Sequence, residues 1–110
     1  MRFAVPLANG VLCAHFGHCE QFVIVDTLDG GITATKYHIP PPHEPGALPR
    51  WLGDLGVDVV IAGGMGRRAL DLFSERGIEV MVGAPSASPE EVVAQYLAKT
   101  LKAGRNLCDH

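Results

Sequence analysis

The sequence predicts an α/β domain: a mixed five-stranded sheet with helices on both faces, in the order βββαβαβα. Three observations carry that expectation. The first part of the chain holds two β-rich segments joined by a turn signal, and the second of them alternates with period two. The rest holds two short continuous apolar runs, which is how strands buried on both faces read. Stretches of helical period separate and follow those runs, and a β–α–β crossover in one sheet is right-handed, which makes the last strands parallel. The 110 residues fit one domain over 1–110, long enough for a hydrophobic core without disulfides or a structural metal.

The elements follow in order. "RFAVPL" (2–7) is a short apolar strand with Pro6 near its end. "EQFVIVDT" (20–27), rich in aromatic and β-branched residues, is the second strand. "DGG" (29–31) is a turn, and "GITATKYHI" (31–39) sets Ile32, Ala34 and Lys36 against Thr33, Thr35 and Tyr37. These two strands therefore pair as an antiparallel hairpin. "PPPHEPGALP" (40–49) is too rich in proline for regular structure and reads as a stiff loop. Leu48, Trp51, Leu52 and Leu55 then fall at helical spacing, with Gly56 as the stop. "VDVVIAG" (57–63) is a buried strand. "GMGRRALDLFSERG" is a helix with Ala69, Leu70 and Phe73 on one face and Gly77 at its end. "IEVMVG" (78–83) is the last strand. "SPEEVVAQYLAKTLKAG" (88–104) is the last helix, with Ser88 as N-cap, Pro89 in its first position and Glu90 and Glu91 in its first turn. Val93, Leu97 and Leu101 form its apolar stripe, and Gly104 ends it.

Composition excludes several classes of function. Apolar residues make up 47% and charged residues 19%, which argues against disorder. The formal net charge of −3 disfavours a general nucleic-acid surface or an anionic membrane surface. The longest weakly polar run, "VVIAGGMG", is too short and too glycine-rich to span a bilayer, and "MRFAVPLANG" lacks the apolar region of a secretory signal. Three cysteines make a poor disulfide framework, so the expectation is a cytoplasmic protein with reduced thiols.

Two stretches carry chemistry. In "VVIAGGMGRRAL" (59–70) a buried strand runs through a glycine-rich turn into a helix. The first turn of a helix has free N–H groups and a positive dipole end, so it favours anions, and glycines let a ligand approach the backbone. Arg67 and Arg68 add two permanent charges there. Gly64-x-Gly66-x-x-Ala69 also fits a dinucleotide fingerprint, but the next strand ends in Gly83–Ala84 rather than in an acid, and no GxxxxGK[ST] is present. In "VLCAHFGHCEQFVIV" (11–25), Cys13, His15, His18 and Cys19 lie within seven residues. Structural zinc takes paired C-x₂₋₄-C knuckles. Cys13-x₅-Cys19 and His15-x₂-His18 interleave instead. Cys19 beside His18 meets only part of the pattern of an activated thiol. Phe16 in a core with the cysteines as small apolar residues is the plain structural alternative. From the residues alone a binding protein, a thiol enzyme using Cys19 or Cys108 with a histidine, and an interaction module with incidental metal all stay open.

Three segments in the same order, "HFGHCEQFVIVD" (15–26), "VDVVIAGGMGRRAL" (57–70) and "GRNLCDH" (104–110), resemble the dinitrogenase iron–molybdenum cofactor-binding family, and most of all its short single-domain members, the orange proteins of sulfate-reducing bacteria. The resemblance implies a ribonuclease-H-like α/β/α layer fold. It implies a non-enzymatic carrier or store of an anionic molybdenum–copper sulfide cluster, held without covalent attachment, and P-loop ATPase protein partners. Carried over, the cofactor-binding positions are His15, Phe16 and Gly17, then Gly63, Gly64, Met65 and Gly66, then Asn106, Cys108 and His110. Cys13 lies outside the family's motif, and Arg67 and Arg68 join the site on the anion argument. Such a cluster is a large soft anion, and Met65 offers it a polarizable wall. Copper is thiophilic and accepts Cys or Met sulfur or His nitrogen, so Cys108, His110, His18 and Cys19 are the candidate metal ligands. "GRNLCDH" is expected to fold back beside His15 and Met65 at the carboxyl edge of the sheet.

Overall fold

Strand β1 (Arg2–Ala8) is the axis of the sheet, buried from Phe3 to Leu7 and paired along both of its edges. The computed structural model describes residues 1–13, 19–41, 46–84 and 87–98. After β1, Asn9 (φ 55) and Gly10 (φ 80) make a two-residue turn with both central residues at positive φ, the geometry that matches strand twist in a tight hairpin. The chain then forms β2 (Val11–Leu12), antiparallel to β1 with Leu7 opposite Leu12. This short strand is a sixth, where the sequence predicts five.

Strand β3 (Gln21–Leu28) pairs antiparallel with β1 over Arg2–Leu7, and β4 (Gly31–His38) returns along β3, with a register shift between Asp26 and Thr27. The expected hairpin is therefore present. Helix α1 (Ala47–Asp54) begins earlier than the proline-rich sequence suggests. Pro49 is its third residue, where no intrahelical N–H bond is lost. Then come β5 (Val59–Ile61), α2 (Arg67–Glu75), β6 (Glu79–Met81) and α3 (Pro89–Leu97). β5 runs parallel to β1 and β6 parallel to β5, giving the order β4-β3-β1-β5-β6 with β2 on β1. The predicted end of the last helix, with Leu101 and Gly104, lies outside the described residues.

Both faces of the sheet carry core. Phe3, Val5, Val23 and Val25 pack with Val92 and Val93 of α3 on one face. Ala4, Phe22, Ile24 and Val60 pack with Leu52 of α1 and Phe73 of α2 on the other. At the amino edge of the parallel strands, Arg2 clasps three elements. Its Nε donates to Asp26 Oδ1 at 2.6 Å, its Nη1 donates to the Leu55 carbonyl, and its backbone N–H donates to Asp58 Oδ2 at 2.8 Å. The guanidinium holds the Asp26 carboxyl below the usual carboxylate range. Among the described residues, no helix is long and apolar enough to cross a membrane.

Candidate functional site

The carboxyl ends of β1, β5 and β6 are where the chemistry-bearing segments converge. β1 changes partner there. Its outer edge is held by β5 at Phe3 and Ala4, then by β2 at Leu7 and Ala8. Pro6 sits between them in the interior of a central strand, where proline is rare because it has no N–H for the ladder. It is tolerated here because β5 has already turned away. Its carbonyl accepts the N–H of Cys13 at 2.8 Å. On the other edge of β1, the Leu7 carbonyl accepts the N–H of Glu20 at 2.8 Å. The roots of segment 14–18 therefore bracket the end of β1. The Glu20 carboxylate also accepts the N–H of Asn9 at 2.8 Å, tying the hairpin tip to the second root.

The exits of β5 and β6 are knitted to this end. The Gly83 N–H donates to the Gly63 carbonyl at 2.8 Å and the Ala84 N–H to the Ala62 carbonyl at 3.2 Å. Gly83 has φ 74, a backbone conformation in which a side chain is strained. The Leu12 N–H donates to the Ala87 carbonyl at 3.0 Å, joining β2 to the entrance of α3. In open α/β sheets, a crevice outside the strand carboxyl ends, where the chain turns off in opposite directions, is the usual ligand position.

Two helices start at this edge, and their N-termini differ. α3 is self-satisfied: Ser88 Oγ accepts the N–H of Glu91 at 3.3 Å, and Glu90 and Glu91 place negative charge in the first turn. α2 has neither device. Its N-cap is Gly66, with no side-chain cap and no acid in the first turn. Gly66 has an ordinary φ of −66, and among the described residues nothing lies within 4 Å of where its Cβ would be. Neither backbone strain nor packing calls for a glycine there. Arg67 and Arg68 are exposed, and among the described residues neither side chain has a hydrogen-bond or ion-pair partner. The arrangement is an uncapped helix N-terminus, a position that favours negative charge, with two exposed guanidinium groups beside it.

Other predicted site residues are placed differently. Gly63 and Gly64 are buried in the strand exit. Met65, expected as a wall facing a ligand, is 0% exposed and belongs to the core with Phe22, Leu52 and Phe73. Its hydrophobic side chain is drawn under the turn by the α1–α2 face, so it supports the turn from below. Cys19 is half-buried against the same cluster, and its thiol is pushed up to about 11, first by burial and then by the neighbouring Cys13. Cys13 is buried at its root. Among the described residues, no three His, Cys, Asp or Glu side chains gather as a metal site. His15, Phe16, Gly17, His18, Asn106, Cys108 and His110 lie outside the described residues. The fold also brings to this edge the Gly83–Ala84 exit, which the sequence marks only as a strand end, and the root formed by Glu20, which it does not mark. A signal for the first was present: "VGA" after the last strand echoes "AGG" after the strand before it.

Known proteins share this fold and sequence. Protein MJ0580 of Methanocaldococcus jannaschii is 29% identical over 108 residues, covering 93% of this chain and 90% of its own length. The crystal structure of PH0822 superposes with a TM-score of 0.90 at 28% identity, covering 100% of both chains. The apo form of the orange protein from Desulfovibrio gigas has a TM-score of 0.76 at 23% identity, covering 96% of this chain and 93% of that one, which shows the shared fold. The family described as dinitrogenase iron-molybdenum cofactor matches residues 1–99, so Asn106, Cys108 and His110 fall beyond the matched part. The chain belongs to that dinitrogenase iron–molybdenum cofactor family.

Proposed function

We propose that this protein is a non-enzymatic carrier of an anionic molybdenum–copper sulfide cluster, taken as cargo and held without covalent attachment at the carboxyl edge of a ribonuclease-H-like domain. The observation that carries the reading is the contrast between the two helix starts. α3 is capped and acidic, while α2 is uncapped, glycine-led and flanked by Arg67 and Arg68. A cluster whose metals already hold sulfide asks for N–H donors and cations rather than many protein ligands. The donor set fits: the described residues supply N–H groups and guanidinium groups, and burial keeps the Cys19 thiol protonated at neutral pH. In this reading His15, Phe16 and Gly17 form a second wall, rooted at Cys13 and Cys19, and Asn106, Cys108 and His110 close the pocket. A P-loop ATPase is the proposed partner for loading or release.

The test is reconstitution of apo-protein with tetrathiomolybdate and copper, followed by visible absorbance after desalting. Arg67→Glu with Arg68→Glu inverts two exposed charges. Acids in a helix's first turn favour the helix, so folding is spared. Each charge-assisted contact is worth about 1.5–3 kcal/mol. Losing both should weaken retention by about two orders of magnitude or more. Cys19→Ser should stay coloured. A coloured double variant beside a colourless Cys19→Ser would mean thiolate anchoring and would sink the anion-pocket reading.

A further inference from the structure

The edge of the sheet away from the cargo site has its own chemistry. Among the described strands, β4 ends the sheet on one side. It is eight residues long, contains no proline and pairs only with β3. Long exposed edge strands are templates for pairing with another chain.

The direction of its free groups follows from the ladder. The Thr27 N–H donates to the Met1 carbonyl, so the odd-numbered residues of β3 bond to β1 and the even-numbered ones to β4. Phe22 and Ile24 therefore bond to His38 and Lys36, their partners in register. Thr35 and Tyr37 are left with N–H and C=O pointing outward, and among the described residues neither makes a hydrogen bond beyond the sheet. The apolar surface lies in the same place. Of the six exposed large hydrophobic side chains among the described residues, four (Leu28, Ile32, Tyr37 and Ile39) belong to this hairpin and its exit. Tyr37 is 57% exposed and Ile39 81%.

We propose that β4 pairs antiparallel with β4 of a second copy, about a two-fold axis through Tyr37. The edge is self-complementary about this axis, and three features select this register. Centring on Tyr37 sets Thr35 opposite Ile39 of the other copy, so Tyr37 and Ile39 from both chains gather on one face and leave water. A register one residue earlier would place Lys36 against Lys36 and is disfavoured by charge. Centring on Thr35 would draw in the irregular stretch beside the Asp26–Thr27 register shift. The prolines from Pro40 onward cannot extend a ladder, so the pairing stops after Ile39. Each copy spends its one long edge on the axis, which closes the assembly at a dimer rather than an open sheet.

The test is sedimentation velocity of the full chain from micromolar to millimolar concentration, with Thr35→Pro and Tyr37→Lys beside the unsubstituted protein. Thr35→Pro removes an outward N–H and leaves the β3 ladder intact. Tyr37→Lys puts like charges on the axis. The unsubstituted protein should dimerise, and each variant should raise the dissociation constant by about tenfold or more. Hydrogen exchange on the unsubstituted protein makes the test independent of either variant's folding. The amides of Thr35 and Tyr37 should gain protection as concentration rises, while that of Lys36 is protected throughout. A chain that stays monomeric at every concentration, a dimer unaffected by both substitutions, or fast exchange at Thr35 and Tyr37 in the concentrated sample would each overturn the proposal.

Discussion

Cys19 shows how position, more than residue type, decides chemistry. In sequence it stands next to His18 and invites a reading as ligand or nucleophile. In the fold it leans on the α1–α2 core, and burial, with Cys13 nearby, raises its thiol to about 11. An unfolded cysteine titrates near 8.5. The folded state thus favours the neutral thiol; that contribution to stability is present below the unfolded value and is lost as pH rises toward 11. The thiolate is the reactive form. At about pH 8.5, iodoacetamide should therefore modify Cys19 in the folded chain roughly a hundredfold more slowly than in urea. Peptide mapping separates it from the other cysteines. Equal rates in the two states would show an accessible thiolate and restore Cys19 as a ligand candidate. Met65 teaches a related lesson. A methionine in a glycine turn reads as exposed because turns run over surfaces, yet only the packing of α1 and α2 shows that this turn has a core beneath it.

At the scale of elements, legibility followed the strength of local signals. α3 was readable because Ser88, Pro89, Glu90 and Glu91 state a helix start in four residues, and the structure repeats it bond for bond. The β3–β4 hairpin was readable from its turn and its alternation. β2 escaped notice although Asn9–Gly10 is a strong hairpin signal, because a strand of two residues has no period to detect. The apolar runs at 57–63 and 78–83 yielded strands of three residues each, since the glycines after them leave the ladder for the site. α2 was also foreseen, but its meaning lies in what its start lacks. Replacing Gly66 with aspartate supplies the missing cap. The site has room for the side chain and φ is ordinary. Aspartate and glycine differ by only a few tenths of a kcal/mol as N-caps, so the thermal midpoint should hold or rise slightly. The carboxylate would occupy the N–H groups proposed to hold the cluster, and Gly66→Asp should lose colour in the reconstitution assay. If Gly66→Asp binds cluster as well as the unsubstituted chain, the helix start is not the anchor.

Among the described residues, the packing that joins the elements lies apart from the candidate site. The Arg2 clasp sits at the amino edge of the parallel strands, both hydrophobic clusters lie on the faces, and the candidate site occupies the carboxyl edge. The two clusters close over the sheet from opposite sides, each with its own helices. That division was foreseeable from the apolar content and the helical stripes; the meeting of segments far apart in sequence at one edge was not, because it depends on the β1–β5 register and on β1 changing partners at Pro6. One sheet with core on both of its faces should unfold as one cooperative unit. Protein treated with a chelator should therefore keep the thermal transition of the untreated protein, in sharpness and in midpoint. Removing residues 106–110 should leave that transition in place too, because the described core already covers both faces of the sheet, while cluster retention after reconstitution falls if the tail closes the pocket. Loss of cooperativity on chelation would make the metal structural and place it inside the fold. Full retention of colour by the shortened chain would take Asn106, Cys108 and His110 out of the site and leave cargo binding to the α2 start and the segment between Cys13 and Cys19.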